Sequence, residues 1–186
     1  LGGDRGHMHV IPHGVDIPAE LGIKDPPDDV RARLNGQPLI VFIGSAHAPN
    51  VEAASYIMDV LAPKFSKCQF AIIGSVCLYF NSAPPNVLLF GFLEEKSKDQ
   101  LVGFADIAIN PMQSGSGSNL KLAEFFAKSL PTVTTAFGAR GYAITDGKQA
   151  LICSMDDFPQ RLDGLMHDPE QKKSLGRNAF DFARTH

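Results

Sequence analysis

Pro111-Met112-Gln113-Ser114-Gly115-Ser116-Gly117-Ser118-Asn119-Leu120-Lys121-Leu122-Ala123-Glu124 decides how this chain is read. It joins an apolar run, Ile107-Ala108-Ile109, to a segment of helical periodicity through a loop of small residues. The pattern predicts a strand, a Gly/Ser turn and a helix. Lys121 falls in or near the first turn of that helix, where the macrodipole presents partial positive charge and acidic residues are the usual occupants. A cation there makes physical sense when an anion lies between it and the unpaired N–H groups of the turn. Small residues at 114–118 let such an anion approach the backbone closely. The stretch reads as a phosphate site.

The same strand-then-helix step recurs outward from it. Apolar runs lie at 9–11, 39–43, 70–73, 87–90, 107–109 and 132–135, with a weaker one at 150–153. They do not alternate with polar residues, as expected of strands buried on both faces of a parallel sheet. Helical stripes separate them: Val51, Ala54, Met58 and Leu61; Leu120, Ala123, Phe126 and Ala127; Phe158, Leu162, Leu165 and Met166. A last helix is predicted from Pro169 to about Ala183, and a short one at 28–34 within a Pro- and Asp-rich connection from Asp16 to Gln37. Asp156 and Asp157 read as a helix start. Alternating strands and helices imply right-handed crossovers and a Rossmann-like, doubly wound parallel α/β sheet. Ligands of such sheets sit outside the carboxyl ends of the strands, where Gly44-Ser45, Gly74-Ser75 and the 113–118 loop all fall.

Composition narrows the classes. The 186 residues fit one large domain, or one domain with a fragment of another. Hydrophobic content of 44% and charged content of 20% suit a soluble protein with a real core. A net charge of −3 argues against broad binding to nucleic acid. No apolar run is long enough for a membrane span, no signal peptide opens the chain, and Leu1 in place of Met suggests a piece of something longer. Cys68, Cys77 and Cys153 are too scattered for a disulfide framework or structural zinc, and read as buried thiols in a cytoplasmic protein. His7, His9 and His13 are expected to be loop histidines rather than metal ligands.

Common phosphate motifs do not fit. Lys121 stands between two leucines, not after Gly and before Ser or Thr as in a P-loop. Counted from Gly115, the third glycine of the dinucleotide fingerprint falls on Leu120. No Asp-x-Asp is present to clamp a metal–nucleotide complex. An ordered series of motifs instead resembles the C-terminal, donor-binding domain of GT-B glycosyltransferases, in the retaining, family 4-like group (group 1). Ile11-Pro12-His13-Gly14-Val15-Asp16 looks like that domain's opening Ile-Pro-Asn-Gly-Val-Asp. Phe42-Ile43-Gly44-Ser45 followed by Pro49-Asn50-Val51-Glu52 is similar to its first strand and loop. Gly115 to Glu124 matches the subgroup pattern Gly-Ser-Gly-x-x-x-Lys-x-x-Glu, Ser129 to Thr135 resembles Gly-x-Pro-Val-Val-x-Thr, and Gly138-Ala139-Arg140-Gly141 resembles the Gly-x-x-Gly loop after it.

The resemblance implies a hexosyltransferase-type enzyme. It divides the chain into a lead-in, 1–16, from a missing N-terminal acceptor domain and a nucleotide-sugar-binding domain, 17–186. Amides of Gly115, Ser116, Gly117 and Ser118, with the neighbouring Asn119 and the Lys121 ammonium, would hold the donor's diphosphate. Glu124 would accept hydrogen bonds from the ribose hydroxyls, Gly44 and Ser45 would line the same cleft, and Phe92 would lie near the base; His47, a donor-site candidate, reads either as a ligand in that cleft or as an exposed loop residue. Lys121 and Glu124 are the catalytic candidates. No metal or other cofactor is expected: the donor, a nucleotide-diphosphate sugar, is itself a substrate. The segment alone is expected to be inactive, and membrane association, if any, to come through the missing half.

Departures from the family pattern bear on function. Ser116 stands where many members carry the first Glu of a pair, and 44–50 offers only His47 where many carry Arg and Lys. These leave open a non-catalytic nucleotide-binding or scaffold module of the same fold, or a phosphosugar or nucleotide enzyme sharing only the sheet. Lys121 and Glu124 also have the spacing of an i, i+3 surface ion pair, worth a few tenths of a kcal/mol.

Overall fold

Six short strands, β1 (Leu39–Ile43), β2 (Gln69–Ile73), β3 (Val87–Gly91), β4 (Ile107–Asn110), β5 (Thr132–Thr135) and β6 (Leu151–Cys153), make one sheet in the computed structural model. The model describes residues 28–34, 36–117 and 119–185. Strand order is β3-β2-β1-β4-β5-β6, and every pairing is parallel. This is the doubly wound sheet expected from the apolar runs. The run at 9–11, the histidines at 7, 9 and 13, and the lead-in 1–16 lie outside the described residues.

Strand side chains alternate between two cores, as the pleat dictates. Ile40, Phe42, Phe70, Ile72, Ile107 and Ile109 face one core, and Leu39, Val41, Ala71, Ile73 and Ala108 face the other. The first core is closed by α2 (Ala48–Tyr56), which continues through a π-helical turn (Ile57–Leu61) into α3 (Ala62–Lys64), and by α6 (Phe158–His167). The second is closed by α1 (Asp28–Leu34), α4 (Glu95–Phe104) and Phe125 of α5 (Leu120–Ala127). Burial on both faces is why the strands read as unbroken apolar runs.

The sequence reading missed α4, whose first turns, Glu95-Lys96-Ser97-Lys98-Asp99, are polar. Its buried apolar contribution is Leu101 and Val102 alone. The helix start at Asp157 is where it was expected, but the capping chemistry differs. Asp157 makes no side-chain cap; the Ser154 hydroxyl accepts from its amide at 3.1 Å and donates to its carboxylate at 2.8 Å. The three cysteines are free thiols, Cys68 and Cys77 buried and Cys153 half-buried.

The last helix, α7 (Pro169–Thr185), packs on the end of α5, with Phe126 and Phe182 edge to face at 6.0 Å. Two backbone details set that contact. Ser129 ends α5 with φ of 57°, and the Ser129 and Leu130 amides return to the Phe126 and Phe125 carbonyls at 2.9 and 3.0 Å. That is a Schellman stop with serine where glycine is favoured. Gly176 brings α7 so close that a Cβ there would collide with the Ser129 carbonyl oxygen. Gly176→Ala is expected to cost about 1–3 kcal/mol by overpacking. Ser129→Gly, which relieves the left-handed strain at some cost in chain entropy, should add about 0.5–1 kcal/mol. Urea denaturation of both variants measures the two effects.

Candidate functional site

The chain leaves β1 toward one face of the sheet, into α2, and leaves β4 toward the other, into α5. Between the two departures opens a cleft of about 620 Å³. It lies at the point where strand order reverses, the place where open α/β sheets take ligands.

One wall starts at Gly44, where a Cβ would crowd Phe42, Asn50 and Val76. The chain then runs through exposed Ser45 and His47 into α2. Asn50 is buried on the first turn of α2; its amide nitrogen donates to the Ser45 hydroxyl at 3.1 Å, and its Oδ1 accepts from the Lys121 ammonium at 2.6 Å. The opposite wall is the loop after β4, in which Gly115 takes φ of 122°. The Ser114 hydroxyl ties this loop to Glu52 of α2 at 3.2 Å. Asn119, in the cap position of α5, lies in the left-handed region with φ of 52° and makes no side-chain cap. Its amide reaches instead toward the Phe137 carbonyl at 3.4 Å, and Tyr142 donates to its carbonyl at 3.2 Å. Neither α2 nor α5 has an acidic residue in its first turn or a side-chain cap. Both helix starts on the cleft thus keep the partial positive charge that caps and acids ordinarily offset.

Lys121 is the electrostatic centre. Besides Asn50, its ammonium lies 3.7 Å from the Met112 sulfur and 4.4 Å from the centroid of the Phe42 ring. No carboxylate of the described residues pairs with it, and burial pushes its pKa from 10.5 down to about 7. The i, i+3 pair with Glu124 does not form. Glu124 turns instead to Lys98 on α4, at 2.7 Å. Burial alone would lower the Lys98 pKa, but its pairs with Glu124 and Glu95 together more than offset it and the net shift is upward.

Nine of the residues expected in the donor site line this cleft: Gly44, Ser45, His47, Gly115, Ser116, Gly117, Asn119, Lys121 and Glu124. Ser118 lies outside the described residues. Phe92 is 91% exposed and does not line the cleft. Two further lining residues matter that sequence reasoning quoted only as parts of motifs, Asn50 and Arg140. The guanidinium of Arg140 comes from the loop after β5 and donates to the carbonyls of Gly115 and Gly117 at 3.0 and 2.6 Å. The first loop lacks a lysine or arginine, but the cleft has a second cation from elsewhere in the chain. The acidic trio Glu95, Asp99 and Glu124 is already served by lysines, since Lys98 pairs with Glu95 and Glu124, and Lys128 with Asp99.

The profile of the family described as "Glycosyl transferases group 1" matches residues 37–168, well over half of the chain. The chain belongs to the group 1 glycosyl transferases. Comparison with curated protein sequences gives no match. Among solved structures, the C-terminal domain of a glycosyl transferase group 1 family protein (LpcC) from Francisella tularensis aligns with 90% of this chain and 97% of its own. The two are 16% identical, with a TM-score of 0.63. Anabaena Alr3699/HepE, solved with UDP-glucose, aligns over 99% of this chain with a TM-score of 0.75 at 15% identity. S. aureus TarM, solved with Fondaparinux, alpha-GlcNAc-glycerol and UDP, aligns over 96% with a TM-score of 0.67 at 15% identity. The group 1 chain described here spans 54% of the Anabaena protein and 36% of TarM. The likeness is one of fold, that of the C-terminal half of GT-B proteins.

The buried ammonium makes a pH prediction. The folded chain holds Lys121 neutral above about pH 7, while the unfolded chain keeps it charged to roughly 10.4. Between those values the unfolded state binds more protons, so this residue's contribution to stability rises with pH. Below pH 7 its full cost is present. Lys121→Met is expected to gain most over the parent protein at pH 6 and to lose that gain by pH 10. Thermal denaturation at the two pH values, with NMR titration of the Lys121 side chain, tests it.

Proposed function

We propose that this chain is the donor-binding domain of a retaining, family 4-like glycosyltransferase. It moves a hexose from a nucleotide-diphosphate sugar to an acceptor held by an N-terminal domain. The observation that supports this reading best is the Lys121 ammonium, buried without a carboxylate partner among the described residues, beside a Gly/Ser loop and two uncapped helix starts. Such a cavity favours an anion that can both take up the charge and accept hydrogen bonds.

Transfer breaks the bond between the anomeric carbon and the terminal phosphate oxygen, so negative charge grows on the departing diphosphate. Loop amides and a protonated Lys121 are oriented in advance to stabilise that charge, and no metal is required of them. Binding the anion raises the Lys121 pKa again, so the lysine takes up a proton as the diphosphate arrives. Glu124 accepts the ribose hydroxyls while Lys98 holds its carboxylate in place. Phe92, exposed outside the cleft, remains the candidate for contact with the base in this reading. The domain boundary falls near residue 16, and the protein works in the cytoplasm. Among the described residues no helix is long and apolar enough to cross a membrane, and any membrane contact is made by the other half.

Isothermal titration with UDP, GDP and ADP tests the reading. One of the three is expected to bind, and Lys121→Ala to weaken it by about ten- to a hundredfold, the worth of a hydrogen bond to a charged group. The matching nucleoside should lose little. Glu124→Ala should weaken nucleoside and nucleotide alike. Failure of all three to bind would favour the non-catalytic scaffold.

A further inference from the structure

Arg140 does more than add charge to the cleft. Its Nη1 donates to the Phe137 carbonyl at 3.1 Å, and its Nη2 donates to both Gly115 and Gly117. The guanidinium also lies over the Phe137 ring, 3.9 Å from its centroid. The segment carrying it is itself fixed. Gly138 packs where any Cβ would strike Thr134 and Asn110, its amide donates to the Thr135 hydroxyl at 2.9 Å, and buried Asn110 donates to its carbonyl at 3.1 Å. A rigid arm therefore reaches 25 residues back to a loop of glycines and serines that has little side-chain packing of its own.

We propose that Arg140 is the positioning residue that makes this loop fit for phosphate. The inference rests on the diphosphate reading of the cleft. Gly115 and Gly117 carbonyls are partial negative charges at the rim of an anion site, and left free they would repel a phosphate. Held by the guanidinium, they are neutralised. The Gly115 carbonyl and the Ser116 amide share one planar trans peptide, so fixing the one fixes the direction of the other. A planar fork stacked on an aromatic ring can hold three carbonyls at set angles; a lysine at the same position keeps the charge but has neither fork nor stack.

The test compares the parent chain with Arg140→Ala and Arg140→Lys, using inorganic pyrophosphate as the probe so that no base need be known. Both variants are expected to bind pyrophosphate about tenfold or more weakly, with melting temperatures close to the parent's. Without ligand, amide order parameters at Gly115, Ser116 and Gly117 should fall from the rigid range near about 0.85 toward about 0.6. Parent-like pyrophosphate affinity in Arg140→Lys would overturn the proposal, because charge alone would then suffice. Unchanged order parameters in Arg140→Ala would overturn it too, because the loop would then hold itself. If the parent chain itself fails to bind pyrophosphate, the diphosphate reading fails and takes this inference with it. In that case the order parameters report only whether the arm restrains the loop.

Discussion

β1 and β4 lie side by side as parallel strands, yet the chain leaves them in opposite directions, and the cleft exists because of that divergence. The two segments that part there are joined again above the strands by the exposed Ser114–Glu52 contact and, deeper in the cleft, by a bond from Lys121 on α5 to Asn50 on α2. The bond joins a neutral amide to an ammonium taken partly out of water. An amide oxygen, a thioether and an aromatic face return some of the lost hydration, and the depressed pKa says that they do not return all of it. The site is therefore held short of electrostatic satisfaction by the geometry that creates it.

Glu124, one turn along the same helix, is placed to relieve that shortfall. Lys98, arriving from α4, takes it instead. The consequence is a separation of charge across the cleft wall: a carboxylate neutralised from outside, and an ammonium left for whatever enters. Arg140 continues the pattern: it donates to the neutral carbonyls of Phe137, Gly115 and Gly117. A cleft arranged this way attracts anions more strongly than the chain's net charge of −3 suggests.

What the sequence disclosed follows from the range of the forces involved. Strands covered on both faces carry uncharged, mostly apolar or β-branched residues, so all six within the described residues were legible as runs. The loop after β4 was legible because small residues, a lysine in a helix's first turn and the want of acids there are local facts. Helix α4 escaped because its fold-determining contribution is two residues, Leu101 and Val102, behind a polar first turn. Asn50 escaped because its partner is 71 residues away, and Arg140 because its nearest loop partner is 23 away. The spacing of Lys121 and Glu124 also allowed an ion pair, which does not form, because a helix periodicity says which groups are near each other, never which outside group competes for one of them. The buried threonines of β5 show the same limit. Thr132, Thr134 and Thr135 look like β-branched strand formers. The hydroxyls of Thr134 and Thr135 also close the polar network that fixes the Arg140 segment.

The competing idea of an inert scaffold meets a physical difficulty here. A scaffold needs the sheet and its cores, none of which depends on the Lys121 charge. A methionine at that position would fill much the same volume against Phe42 and Met112 without the desolvation cost, and apolar replacements of buried charge are commonly neutral or stabilising. Ser116, by contrast, costs the fold nothing: it is exposed, on a loop held by other residues. The Ser116 departure thus falls where it would affect the grip on a sugar, while the costly feature falls where a diphosphate would be held. A chain that bears the cost of an unpaired cation at the switch point of its sheet has the electrostatics of a phosphate receptor, whatever sugar the phosphate carries.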